Sequence, residues 1–204
     1  MTESMMTENQ NEFDALFLVS FGGPEGPDDV MPFLENVLRG RNVPRERMLE
    51  VAEHYNHFGG VSPINEQNRQ LLSAIKAELS SNGIDLPVYW GNRNWHPMIP
   101  DALQEMKADG VKKALAFFTS AYSCYSGCRQ YRENIIDAQG ELGDAPEVHK
   151  LRMFFNHPLY VEASAERVME AFGKVAQDKQ ESTCLLYTSP SPRDQRGSRM
   201  PSSA

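Results

Sequence analysis

Short, nearly continuous apolar runs, separated by stretches of helical periodicity, limit what this chain can fold into more than any other feature. The first run, Ala15–Ser20 (ALFLVS), ends at Phe21-Gly22-Gly23-Pro24. A run of that length without polar alternation reads as a strand covered on both faces, as in a parallel sheet. Pro87-Val88-Tyr89-Trp90 and residues 113–119 (KALAFFT) are the second and third, and residues 147–151 form a weaker fourth. The segments between them carry the helical period. Val30, Phe33, Leu34, Val37 and Leu38 share one face, with Asp28 and Asp29 expected as caps. A second helix is expected over residues 44–57, and residues 65–80 set Leu71, Leu72, Ile75 and Leu79 at helical spacing. Ile99, Leu103 and Met106 mark a fourth helix, and residues 126–138 and 158–172 a fifth and sixth. Strand and helix in alternation imply βαβ units, hence an α/β fold with a four-stranded parallel sheet between layers of helices. Open sheets of this kind bind ligands beyond the carboxyl ends of their strands. Chemistry is therefore expected in three loops: Phe21-Gly22-Gly23-Pro24, Gly91-Asn92-Arg93-Asn94-Trp95, and residues 120–131.

The net charge of −8 excludes most nucleic-acid binders and basic membrane-surface proteins, because both need cationic surface to meet phosphates. Three cysteines, Cys124, Cys128 and Cys184, are too few and too unevenly placed for a secreted disulfide framework, which points to a reducing cytoplasm. Residues 1–12 are polar and acidic, lack the apolar stretch of a signal peptide, and are expected to be a disordered leader. No apolar run approaches the roughly 20 residues that cross a bilayer, so no transmembrane segment is expected. The expected domain runs over residues 13–176. Residues 177–204 are expected to be disordered, and from Cys184 (CLLYTSPSPRD) the text matches one reading frame of a common sequencing adapter. That segment reads as foreign to the protein.

Taken by themselves, the loop residues suit a planar or anionic ligand: glycines bring backbone N–H groups close, and tyrosines and tryptophans offer flat faces and hydroxyls. The same glycines serve ordinary turns, and the first loop lacks the glycine spacing of a dinucleotide fingerprint or a P-loop.

Four phrases are more specific in combination: LVSFGGPEGPDDVMPFLENVLRGR, HYNHFGGVSPINEQN, PVYWGNRNWHP and SGCRQYRENI. In this order and spacing the chain resembles ferrochelatases, most closely those of actinobacterial type, from about Phe13 to Val175. The resemblance implies a chelatase-like three-layer domain, the first of two similar domains with the porphyrin in the cleft between them; the second would be missing here. It implies a protein that inserts ferrous iron, its substrate, into a porphyrin for haem synthesis, with coproporphyrin III favoured over protoporphyrin IX. Ser62 and Tyr131 match positions that contact the porphyrin, and His54 and Tyr55 match a further pair lining the cleft. Phe21 stands where several bacterial members place a tyrosine able to ligate the product iron. Phenylalanine cannot do so, and Phe21 is expected to be an apolar wall against the macrocycle. Arg39 and Arg41 could attract propionates, although a solvated helix end is the preferred reading of them.

The family's catalytic histidine and glutamate are expected beyond residue 183, so no catalytic residue is assigned in this chain, which the resemblance casts as a truncated, inactive fragment. Some members hold a [2Fe–2S] cluster with one cysteine from the first half and three from the far C-terminus. The resemblance leaves such a cluster open for the full-length protein, but Cys124 and Cys128 alone cannot complete the four ligands it takes. His149 and His157 are expected to be structural, and no metal site is assigned. The expected partners are the porphyrin and the next enzyme of the haem pathway. Two alternatives stand beside this reading: another tetrapyrrole metal chelatase, and a non-catalytic binding module for porphyrin.

Overall fold

The computed structural model describes residues 12–175. The expected leader, Glu12 apart, and the segment 177–204 lie outside the described residues. The chain divides into two compact units at Phe154/Phe155.

In the first unit four strands form one parallel sheet: β1 (Ala15–Ser20), β2 (Val88–Asn92), β3 (Lys113–Phe118) and β4 (Glu147–Lys150), in the order β2-β1-β3-β4. The most apolar run therefore occupies a central position, and its residues Ala15, Phe17, Leu18 and Val19 are fully buried. The helices are α1 (Pro27–Val37), α2 (Arg45–His57), α3 (Ile64–Ser81), α4 (Ile99–Ala108) and α5 (Gln130–Leu142).

Register assigns the layers. Phe17 pairs with Tyr89 and Ala116, and these share one buried cluster with Ile99, Leu103 and Met106 of α4 and Tyr131, Ile135 and Ala138 of α5. Leu18 pairs with Trp90 and Phe117 on the opposite face, and there the Arg69 guanidinium of α3 lies 5.8 Å from the centre of the Trp90 ring. Helices thus flank both faces, as the alternation implies. The chain runs from β1 outward to β2 and returns past β1 to β3, so the point where strand order reverses lies at β1.

Three local expectations are corrected. Asp28 and Asp29 do not cap α1: Gly26 occupies the cap, Pro27 opens the helix, and both aspartates fall in the first turn. Proline at the first position gives up an N–H that has no helical partner there, and carboxylates still meet the positive end of the helix. The Asp29 carboxylate instead accepts from the Glu25 N–H at 3.0 Å and Trp95 Nε1 at 3.3 Å. The leucine face of α3 is only half-buried, and its fully buried side chains are Asn65 and Asn68. The helix expected over 126–138 is a π turn, Tyr125–Arg129, that passes into α5 and runs on to Leu142.

The second unit contains α6 (Pro158–Gly173), which also opens on a proline.

Candidate active site

The loops after β1, β2 and β3 gather at the carboxyl end of the sheet, where β1 marks the strand-order reversal. Asparagines fasten the first loop. The Phe21 carbonyl accepts two hydrogen bonds from Asn94, one from its backbone N–H at 3.0 Å and one from Nδ2 at 3.2 Å. The Gly23 carbonyl accepts from Asn65 Nδ2 at 3.1 Å. Ser62 donates its N–H to the Pro24 carbonyl at 2.8 Å and lies flat against the turn. A Cβ added to Gly23 would sit 2.6 Å from Ser62 Cβ and 2.7 Å from its Oγ, so only glycine lets the two segments meet.

Around this turn stands a group of aromatic rings centred on buried Phe33. Phe21, Tyr55 and Trp95 each meet it edge-on, at 6.2, 5.9 and 6.3 Å between ring centres. Phe21 is 36% exposed, a partly bared ring at the mouth of the strand. Burial raises the Tyr55 pKa above its ordinary value. The structure therefore brings Phe21, Tyr55 and Ser62 together. His54, one residue before Tyr55 on α2, is exposed.

Tyr131 occupies a different place. It opens α5, is 5% exposed, and stacks at a tilt on Phe118 with ring centres 5.4 Å apart. Its phenol pKa is pushed up to about 12, chiefly by burial; Arg93, whose guanidinium lies 5.9 Å from the ring centre, acts in the opposite direction. Arg93 joins this side to the first loop: its N–H donates to the Ser20 carbonyl at 2.9 Å, and its Nε donates to Asn134 Oδ1 at 2.9 Å. Burial, then the neighbouring Arg41, lowers the Arg93 pKa. Arg39, Arg41 and Arg93 line one pocket of about 290 Å³ with Asn94, Glu133 and Asp137. Three guanidinium groups against two carboxylates suit it to an anion.

A larger cavity lies elsewhere among the described residues. It measures about 770 Å³, runs between α5 and β4, and is lined by Phe118, Arg132, Ile136, His149 and Lys150 among others. None of Phe21, His54, Tyr55, Ser62 or Tyr131 borders it. Among the described residues, no group of three or more His, Cys, Asp or Glu side chains is arranged to hold a metal ion. Cys124 is exposed, and its Sγ accepts the Gly127 N–H at 3.1 Å. His149 meets Phe13 edge-on at 5.5 Å. No described helix is long and apolar enough to cross a membrane.

Sequence reasoning singled out the Gly91–Trp95 loop but gave its side chains no roles. Asn92 and Asn94 are buried, as is Asn65. The available signal was the polarity itself: asparagine is a poor choice inside a strand or a helix unless its amide is engaged.

The family model for Ferrochelatase matches residues 13–191. The chain is 70% identical over 160 residues to a protein named Ferrochelatase from Rhodopirellula baltica, covering 78% of this chain and 46% of that one. It is 56% identical over 176 residues to the Coproporphyrin III ferrochelatase of Nocardia farcinica, covering 86% and 50%. It is 52% identical over 179 residues to the Coproporphyrin III ferrochelatase of Streptomyces coelicolor, covering 86% and 48%. The chain spans about half the length of these curated relatives.

Proposed function

Because the chain belongs to the ferrochelatase family, we propose that its described residues form one wall of a porphyrin cleft in a protein that inserts ferrous iron, the metal substrate, into coproporphyrin III in preference to protoporphyrin IX. The observation that carries this reading is the convergence of Phe21, Tyr55 and Ser62 at the carboxyl end of β1, beside a pocket bearing Arg39, Arg41 and Arg93. A macrocycle is a flat apolar disc with carboxylates on its rim. Bared aromatic rings suit the disc, and hydroxyls and guanidinium groups suit the rim. The four propionates of coproporphyrin III use more of that polar edge than the two of protoporphyrin IX, and the names of the Nocardia and Streptomyces relatives point the same way.

Each residue has a limited part to play. Phe21 packs against the macrocycle and excludes water; its ring has no atom to ligate iron. Ser62 Oγ donates to a propionate oxygen. Tyr131, with its pKa near 12, stays protonated at neutral pH and acts as a donor, never as a base. His54 lines the outer edge of the cleft. Metal insertion requires the pyrrole nitrogens to lose two protons, so the reaction needs a base. The resemblance puts the family's histidine and glutamate beyond residue 183, and we assign this role to no residue here. The 204-residue chain by itself is therefore expected to bind porphyrin weakly and to turn over none.

We further propose residues 13–176 as the family's first domain, the segment from residue 184 as foreign sequence, and the cytoplasm as the site of reaction, with the iron porphyrin passing to the next haem-pathway enzyme. An iron–sulfur cluster takes four ligands. Cys124 and Cys128 alone cannot complete such a set, no ligand is assigned here, and no step is routed through such a group.

The test is anaerobic iron insertion by the gene's full-length product with each porphyrin. A kcat/KM at least about tenfold higher for coproporphyrin III, a difference of roughly 1.4 kcal/mol in transition-state binding, supports the reading. Equal values, or preference for protoporphyrin IX, contradict the substrate assignment, and absence of insertion with either contradicts the function.

A further inference from the structure

Behind the first loop lies a closed set of side-chain amides that no part of the proposed reaction uses. Asn92, at the end of β2, is fully buried, and Asn65, in the first turn of α3, is 1% exposed. Asn92 Nδ2 donates to Asn65 Oδ1 at 3.3 Å and to the His96 carbonyl at 3.1 Å, while its Oδ1 accepts from Trp90 Nε1 at 3.0 Å. Asn65 Nδ2 donates to the Gly23 carbonyl at 3.1 Å and reaches the His96 carbonyl at 3.4 Å. Every donor and acceptor of the two amides has a partner. Through them the start of α3, the end of β2, the loop at His96 and the turn after β1 are joined.

The fit is steric as well as polar. Gly22 has φ of +78°, and a Cβ placed there would lie 2.8 Å from Asn92 Cβ and 3.1 Å from the Trp95 nitrogen. The Phe21–Gly23 turn is thus pressed against Asn92 on one side and fastened to Asn65 on another. Leucine would fill a buried site of similar volume, but at position 65 it could not engage the Gly23 carbonyl, which would be left buried without that donor. Two asparagines at positions of low local propensity are a breach of local preference that a positional role explains.

We infer that Asn65 and Asn92 are positioning residues of the porphyrin site, setting where Phe21 and Ser62 stand through the Gly22–Gly23 turn. The inference rests on the ferrochelatase reading above. Neither amide touches the macrocycle, and each acts through the loop it holds. Asn65→Asp keeps an acceptor for Asn92 Nδ2 but loses the donor to Gly23 and turns a carboxylate oxygen toward its carbonyl. The loop should shift, weakening the porphyrin fit without altering how iron is delivered.

The experiment measures KM for porphyrin and for ferrous iron separately in the full-length product, in the parent, in N65D, and in L103V, a core change in α4 outside the amide set. N65D is expected to raise the porphyrin KM about tenfold, leave the iron KM within about twofold, and shift the absorption maximum of bound porphyrin. L103V should move none of these. Should N65D not fold, Asn92→Ser, which removes the amide beside Gly22, is measured in its place against the same expectations. An active parent with an unchanged porphyrin KM in the variant overturns this inference alone, as does an equal rise in L103V. A parent that inserts no iron overturns the functional reading, and this inference with it.

Discussion

The carboxyl end of β1 and the groove between α5 and β4 are built on opposite plans. At the first, backbone carbonyls of Phe21, Gly23 and His96 are each held by buried asparagine amides, and aromatic rings close on Phe33. At the second there is more than twice the open volume, but Ile136 and Arg132 on its wall are exposed and Arg129 pairs with Glu133 in solvent. Volume alone therefore does not mark the site. What distinguishes the first region is the density of long-range contacts that leave its backbone one position, the condition for placing a rigid disc to within a fraction of an ångström.

The sharpest way to break this contrast is to add one methyl group at the tight end. Gly22→Ala must hold a left-handed backbone with its Cβ against Asn92, and is expected to lose about 3 kcal/mol of stability, read from denaturant unfolding of the full-length product. A loss below about 1 kcal/mol would show that the turn yields and is not clamped.

Next in size is an alkaline effect. Burial raises both Tyr89 and Tyr131 from the ordinary 10.0 to about 12, with a hydrogen bond from the Tyr89 hydroxyl to Asp109 contributing at the first. Their folded values stand above the unfolded value, so the stability they contribute is complete below pH 10 and is lost as pH rises through 12. Tyrosinate absorbance should show Tyr89 and Tyr131 ionising only as pH nears 12, together with unfolding. Tyr131→Phe should remove one of them. Ionisation of all tyrosines near pH 10 without unfolding would contradict the burial of Tyr131.

Smaller is the hydrogen bond proposed for the hydroxyl beside Gly23. Ser62→Ala should raise the porphyrin KM about tenfold, the effect of one bond to a charged acceptor, with thermal stability nearly unchanged. An unaltered KM would remove Ser62 from the binding wall. Smallest is Arg132→Ala in the open groove, expected within about 0.5 kcal/mol in stability and without effect on porphyrin KM. A large rise in KM there would invert the comparison between the two regions.

The strands and their loops were legible in the sequence because burial on both faces writes an uninterrupted apolar run, and Ala15–Ser20 shows it most clearly. Helical spacing placed α3 correctly, yet its leucines are half-buried while Asn65 and Asn68 are buried. Periodicity reports which residues share a face. It does not report where along a helix the tertiary contact falls. The aspartates after Gly26 looked like caps because local propensity cannot see Trp95, 66 residues away, reaching the Asp29 carboxylate. The π turn before α5 was equally hidden, since its residues carry no composition that separates it from an ordinary helical turn.

At the site, resemblance named Phe21, Tyr55 and Ser62, and the fold brings them together around one turn. The asparagines behind them were legible only as part of a phrase. Their partners are backbone carbonyls at Gly23 and His96, which no side-chain pattern reveals.

The central claim is that porphyrin lies against the carboxyl end of β1 and not in the larger groove. Hydrogen–deuterium exchange of the full-length product, with and without saturating coproporphyrin III, addresses it directly. The account predicts slowed exchange over residues 21–24, 55–62 and 93–95, with no change over 139–150, the part of the groove wall that borders no arginine pocket. Protection confined to 139–150, or none at the first loop, would contradict it.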